Sequence, residues 1–312
     1  MKKENKKYVL ANQVHVDQLL SNVSVKYRPA GFIAQDVAPV VAVKKTSDLF
    51  RVYDRNFRIP ETKRSNRAEA REHNFDVSTA SYNLVRHSLK SFVSDTDADN
   101  YDVSDLRAET TEELTEKIML RHELDTAQLF TKTSWSLNVS LAAGAEFSAN
   151  TTTSNPIPVF QTAGSVVIAN SGMRANFGIL PRAGKIACIN HISVLDRLKY
   201  TSAEVDLGKL AALFDLPGGL LSPESAYDSS NLNAVNTVTI ASIWDAENAF
   251  VGYKPDAPGP LKPSSLYTFM KAMPLVKRWR EEARESECIE VNKEYEVRVV
   301  ASLSGYLIAN II

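Results

Sequence analysis

Charge of one sign is what this 312-residue sequence most obviously lacks: 36 Lys and Arg against 37 Asp and Glu leave a formal net charge of −1. A dedicated nucleic-acid binder is expected to be basic, so that class is set aside. A near-neutral chain repels its own copies weakly, which permits self-association. Cysteine is almost missing, with only Cys188 and Cys288, and a disulfide scaffold is excluded. Both have apolar sequence neighbours and read as small buried hydrophobes of a reducing compartment. No run approaches the ~18 unbroken apolar residues of a membrane helix. The basic start Met1–Lys7 leads only into Tyr8–Gln13, too short and polar for a signal peptide. The expectation is a chain without a membrane partner, made and folded in a cytoplasm. A core is not lacking: 44% of residues are hydrophobic and 23% charged, the balance of a folded protein of one to three domains.

Signatures of chemistry are equally scarce. The five histidines, His15, His73, His87, His122 and His191, show no metal-site spacing. His122, among acidic residues, is expected to face water or a carboxylate. Gly218-Gly219 lacks the Lys-Ser/Thr of a phosphate loop, and no Gly-x-Ser-x-Gly elbow occurs. Asp95, Asp97, Asp99, Asp102 and Asp105 invite a calcium reading, but the central Gly and terminal Glu of such a loop are out of register. They fit a turn leading into a helix N-terminus, where acidic residues suit the helix dipole. No catalytic residue, metal or cofactor is expected, and the chain is not read as an enzyme.

What is present is a sequence of contrasting segments. Residues 1–37 read as an arm, broken at Pro29-Ala30-Gly31. Pro39–Val43 reads as a strand. Residues 49–93 read as a long hairpin whose arms are Leu49–Tyr53 and Tyr82–Arg86, with a polar middle too poor in apolar residues to form a core. Residues 104–132 read as a long helix with Leu114, Ile118, Leu120, Leu124 and Ala127 at helical spacing and a capping residue at Ser104 or Asp105. A second helix carries Val159, Ala163, Val166 and Val167 and ends at Gly172. Residues 173–274 read as α/β: a buried strand over Lys185–Asn190, helices over Ser193–Tyr200 and around Leu207, Leu210 and Phe214, and strands over Val235–Ile240 and Asn248–Tyr253. Near the C-terminus Ile289, Val291, Tyr295, Val297 and Val299 alternate with polar residues, a half-buried antiparallel strand whose odd-numbered series is broken only by Lys293. Leu303–Ile312 adds a more apolar strand.

Two of these segments are complementary in charge. Residues 51–72 hold seven Lys and Arg against four Asp and Glu, and residues 104–130 hold three against seven. Either run alone reads as a solvated surface. Together they suggest that Arg51, Arg55, Arg58, Lys63, Arg64, Arg67 and Arg71 of one copy meet Glu109, Glu112, Glu113, Glu116 and Glu123 of the next.

The order of segments resembles a tailed-bacteriophage major capsid protein of the Hong Kong 97-type fold. The residues that carry the resemblance are Phe32–Lys45 with Arg51-Val52-Tyr53-Asp54, then Arg197–Thr201, Leu207–Phe214, Ile243-Trp244 and Phe250–Tyr253. The resemblance implies an α+β capsid fold with an N-terminal arm (1–37), an extended β-hairpin loop (49–93) lying over a neighbour, a peripheral domain with a long spine helix (38–48, 94–170 and 275–312) and an α/β axial domain (171–274). It implies hexamers and pentamers of this chain forming an icosahedral head around double-stranded DNA, in a virion assembled in a host bacterial cytoplasm. A separate scaffolding protein and a portal are implied partners. Packaged DNA would be met by nonspecific phosphate contacts, for instance from Lys2, Lys3, Lys6 and Lys7. Some relatives join a loop lysine to another subunit; Lys63 and Lys90 lie in that region, but no crosslink is expected. The competing readings are the subunit of an encapsulin-like nanocompartment and an enzyme with an unrecognised site.

Overall fold

The computed structural model describes residues 15–16, 20–21, 24, 31–52, 62–67, 69–70, 72, 78–100, 105–199, 205–230, 239–260, 262–271 and 275–312. In chain order, strand β1 (His15–Val16) precedes a one-turn helix α1 (Ala34–Val37) and strand β2 (Val40–Ala42). Strands β3 (Ser47–Val52) and β4 (Ser78–Asn83) form a ribbon, followed by β5 (Val85–Ser94), α2 (Asp95–Asp99) and the spine helix α3 (Leu106–Ala127). Next come β6 (Asn138–Ser140), α4 (Pro156–Ser171), β7 (Phe177–Ile179) and three short helices, α5 (Arg182–Ile189), α6 (Ile192–Leu198) and α7 (Leu207–Leu213). Strands β8 (Leu220–Leu221), β9 (Ala226–Asp228), β10 (Ile240–Ser242), β11 (Ala249–Gly252), β12 (Leu266–Met270), β13 (Leu275–Glu281), β14 (Ser286–Val299) and β15 (Gly305–Ala309) complete the chain.

Local chemistry sets the boundaries. The Asp105 carboxylate accepts from the Arg107 N–H at 3.0 Å and starts α3, which over 22 residues runs about 33 Å. Its buried face holds Leu114 and Ile118 but also Thr111, Thr115 and Thr126. Each of these hydroxyls donates to the carbonyl four residues back, at 2.7–2.8 Å, so the buried oxygens are satisfied within the helix. Asn155 caps α4, Pro156 occupies its first turn, and Gly172 ends it at φ +65°.

The 14-residue β14 is the axis of a six-stranded sheet. It pairs antiparallel with β5 on one side, with β13 along its first half and with β12 along its second; β2 adds parallel to β12 and β1 antiparallel to β13. Along β14, Ile289, Val291, Tyr295 and Val297 are buried while Glu290, Asn292, Glu294 and Glu296 are half-buried, as period-two alternation requires. Helix α3 packs Leu114 and Ile118 onto Val93, Ile289 and Val291. The second sheet runs β6-β15-β11-β7-β8 and is covered by α4 to α7 through Phe160, Val167, Cys188, Leu210 and Phe214. An aromatic cluster, Phe130, Trp135, Phe177, Trp244 and Phe250, joins the two halves.

Several expectations are corrected. Lys185–Asn190 lies in helix α5 and its cap, with Gly184 and Cys188 buried one turn apart while Ile186 is half exposed. A four-residue apolar run cannot distinguish the two periods. Gly184 fits because a Cβ there would stand 2.6 Å from Ile311 Cδ1. Residues 85–93, expected in the extended loop, belong to β5 in the large sheet, so the ribbon's arms end at Asn83. The sheets also cut across the expected domain limits: β15 and β6, expected peripheral, pair next to β11, and β12, expected axial, pairs with β14. Strand β10 begins at Ile240; the remainder of the expected strand Val235–Ile240 lies mostly outside the described residues.

Candidate assembly interface

Ribbon arms β3 and β4 pair in register from Ser47↔Asn83 to Val52↔Ser78, and residues 53–77 connect them. The root of the ribbon is held to the body. Tyr82 stacks on Phe269 at 4.8 Å and 14°, and Phe50 lies 5.1 Å from the same ring. The Asn83 N–H donates to Glu296 Oε2 at 2.5 Å, and the Leu84 N–H to the Thr46 carbonyl at 2.8 Å. Toward the tip, residues 62–67 are all exposed and turn at Asn66-Arg67, with Arg67 at φ +67°.

The residues read from sequence as an assembly contact divide into three sets. Lys63, Arg64 and Arg67 are exposed near the turn, and Glu109, Glu113 and Glu116 are exposed on α3 with Glu112 half-buried beside them. Arg51 is the penultimate residue of β3, while Arg55, Arg58 and Arg71 lie outside the described residues. Glu123 is the correction. It is 1% exposed, and its carboxylate accepts from Ile33 N (3.0 Å), Ala34 N (2.8 Å) and Trp244 Nε1 (2.6 Å). Burial pushes this carboxyl above its ordinary value, against three N–H donors that favour the ionised form. Glu123 is therefore spent inside its own subunit, where it ties α1, α3 and the Trp244 segment together. It is not available to a neighbour.

A lysine that sequence reasoning missed does similar work. Lys254 Nζ donates to the Asp36 carbonyl at 2.8 Å and lies 5.2 Å from the Phe177 ring centroid. Partial burial lowers its pKa. No local pattern signals it, because its partner is 218 residues away.

Other candidate residues have structural work to do. Asp95 takes a bidentate pair from Arg280 at 2.7 and 3.2 Å, Asp97 accepts from Ser94 Oγ at 2.6 Å, and Asp105 caps α3. His122 does not face water or a carboxylate. It is 2% exposed, and its Nε2 lies 3.2 Å from Thr268 Oγ1. Because the Thr268 hydroxyl donates to the Ala38 carbonyl at 3.0 Å, His122 Nε2–H is the donor of that contact. Burial pushes the thiols of Cys188 and Cys288 up to about 12 and about 11, so neither is a ready nucleophile. Among the described residues no group of three or more His, Cys, Asp or Glu could hold a metal ion.

Among the described residues ten large apolar side chains are exposed, including Ile168, Ile240, Leu275 and Ile312. Leu49, Val85 and Leu89 lie at the root of the ribbon and along β5. Ile186, Ile192 and Leu195 lie on α5 and α6. A second molecule resting on any of these side chains would remove apolar area from water.

No family model matches the chain. It is 25% identical over 306 residues to the major capsid protein of Burkholderia phage BcepMu, covering 95% of this chain and 96% of that one. The crystal structure of a phage-related protein from Bordetella bronchiseptica superposes with a TM-score of 0.77 at 25% identity, covering 95% of this chain and 97% of that chain. The capsid of cyanophage P-SCSP1u superposes with a TM-score of 0.61 at 9% identity, covering 99% and 92%, a likeness of fold. Over nearly its whole length, then, this chain is similar to the major capsid proteins of tailed bacteriophages and has their α+β, Hong Kong 97-type capsid fold.

Proposed function

We propose that this chain is the repeating subunit of a phage head, self-assembling into hexamers and pentamers that close an icosahedral shell around double-stranded DNA. The observation that carries the reading is the end-to-end likeness to a phage major capsid protein. The ribbon, rooted by aromatic stacking and basic near its turn, supplies the means of joining copies. Its Lys63, Arg64 and Arg67, with Arg51, Arg55, Arg58 and Arg71, rest on Glu109, Glu112, Glu113 and Glu116 of the adjacent copy's spine helix. Each exposed pair contributes under about 1 kcal/mol, but repetition around a closed shell multiplies it. We take the large sheet with α3 as the peripheral unit and the second sheet with α4 to α7 as the axial unit. A separate scaffolding protein, a portal, nonspecific contact with packaged DNA and residence in the virion after assembly in the host cytoplasm complete the proposal.

The test is negative-stain microscopy of the expressed protein beside the double variant Arg64→Glu, Arg67→Glu. The wild type is expected to form shells or capsomers. The variant is expected to remain a folded subunit with unchanged circular dichroism. Normal shells from the variant would remove the ribbon from the assembly contact, and a wild type that elutes as a small oligomer even with its scaffolding protein would remove the shell reading itself.

A further inference from the structure

The single break in the apolar series of β14 is Lys293, and in the folded chain it stays on the inner face, 4% exposed. Among the described residues its ammonium has no hydrogen-bond acceptor or ion-pair partner; it lies 5.1 Å from the centroid of the Tyr295 ring. Two more bases touch that ring. His87 of β5 stacks on it at 4.5 Å and 20°, and His122 of α3 meets it edge-on at 4.6 Å and 79°. The remaining charged neighbours are on α3, where Asp125 Oδ2 accepts from the Tyr295 hydroxyl at 2.9 Å and Asp125 Oδ1 pairs with Arg121 at 2.8 Å. β12 contributes only the uncharged Thr268, already hydrogen-bonded to His122. One aromatic ring thus collects three basic side chains, and the nearby carboxylate is already shared between Arg121 and the Tyr295 hydroxyl.

We propose that this cluster makes the seam between α3 and the large sheet an acid-sensitive joint, closed while His87 and His122 are neutral and loosened when they become protonated beside Lys293. The inference concerns the subunit alone and holds whatever the subunit assembles into.

The directions support the geometry. Burial, then the charges of Lys293 and His87, hold His122 well below the ordinary imidazole value of 6.5. Burial also lowers His87; Asp125 opposes that shift, and Arg121 and Lys293 add to it. Burial lowers Lys293 to about 8 from an ordinary 10.5. A base lowered on folding gives its full stability above its unfolded value and loses it as pH falls toward the folded one. For Lys293 that window lies between 10.5 and about 8, so at neutral pH the ammonium is charged and its cost is already present. The acid window belongs to the histidines. It opens below 6.5, and the fixed charge of Lys293 deepens it. Protonated His122 would also carry an Nδ1–H that no described group accepts.

Three measurements test this on the purified full-length subunit. In the wild type, protected amides of α3 and β5, corrected for intrinsic rates, should exchange about tenfold faster at pH 5 than at pH 7.5, tenfold being one pH unit of suppressed protonation. Lys293→Met should be more stable at neutral pH and should shrink that ratio, and His122→Gln, whose amide can still donate to Thr268, should remove most of it. Proton NMR of the wild type should find the His122 midpoint well below the ordinary 6.5. A flat exchange profile, a Lys293→Met profile identical to the wild type, or a His122 midpoint at or above 6.5 would each overturn the proposal. The NMR titration needs no variant, so a misfolded mutant leaves the question decidable.

Discussion

At the scale of single residues, the buried polar groups decide more than the charged surface does. Glu123 is the clearest case. Oε1 accepts from both Ile33 N and Trp244 Nε1, while Oε2 accepts from Ala34 N. Glu123→Gln keeps the first pair of bonds on its carbonyl but turns an NH2 group toward the Ala34 N–H, leaving that buried donor unpaired. The expected loss is about 1–3 kcal/mol, read as a lower urea midpoint at unchanged slope. An unchanged midpoint would mean that water reaches the Ala34 N–H. No sequence pattern could have revealed this role, because the donors are 89, 90 and 121 positions away. The charge of Glu123 was legible and its burial was not: at a helix position between His122 and Leu124, only the approach of α1 and Trp244 distinguishes a solvated carboxylate from a buried one. Lys293 is the opposite case, since its break in the alternation was visible before any fold was known.

At the scale of elements, legibility follows how strongly a segment's own periodicity specifies its partner. Strand β14 was readable because one face is buried along 14 residues, so every second position reports the same environment. Helix α3 was readable from its cap and from Leu114 and Ile118, although threonines fill much of its inner face. Helix α5 was misread because eight residues, only Gly184 and Cys188 of them buried, carry too little pattern. The end of the ribbon was placed ten residues too far because Val85–Ser94 is itself a strand, and only the ladder with β14 assigns it to the sheet. In α4 the sequence marked the buried Ala163 and Val167 but not the equally buried Phe160, whose ring lies parallel to Phe214 at 4.1 Å and 4° and 5.9 Å from Phe147. Phe160→Ala therefore removes the aromatic stack between α4 and the end of α7, leaving the Gln161 Nε2 to Leu213 carbonyl bond at 3.0 Å. It is expected to cost about 3–5 kcal/mol, enough to unfold the second half of the chain in mild denaturant. A thermal shift of only a degree or two would show that α4 is held by its remaining contacts instead.

At the scale of the whole molecule, the proposed assembly rests on an electrostatic match between copies, and such a match can be reversed as well as broken. Arg64→Glu with Arg67→Glu places negative charge opposite Glu113 and Glu116, and like charges in contact suppress association. If the two faces meet in the shell, a second reversal on the partner face, Glu113→Arg with Glu116→Arg, should restore assembly in the quadruple variant although each double variant fails alone. All four side chains are exposed, so the isolated subunit of each variant is expected to keep its fold, checked by circular dichroism. The readouts are sedimentation and negative-stain counts of closed particles, with assembly slowing as salt rises because exposed pairs are screened within a Debye length of about 10 Å at 0.1 M. Rescue can arise only if the two sets are neighbours, because distant sites add independently and two failures would then combine into a deeper one. A quadruple variant that assembles no better than either double would place the basic ribbon on some other surface of the adjacent copy. The exposed Ile186, Ile192 and Leu195 and the exposed Leu49, Val85 and Leu89 would then be the next side chains to test.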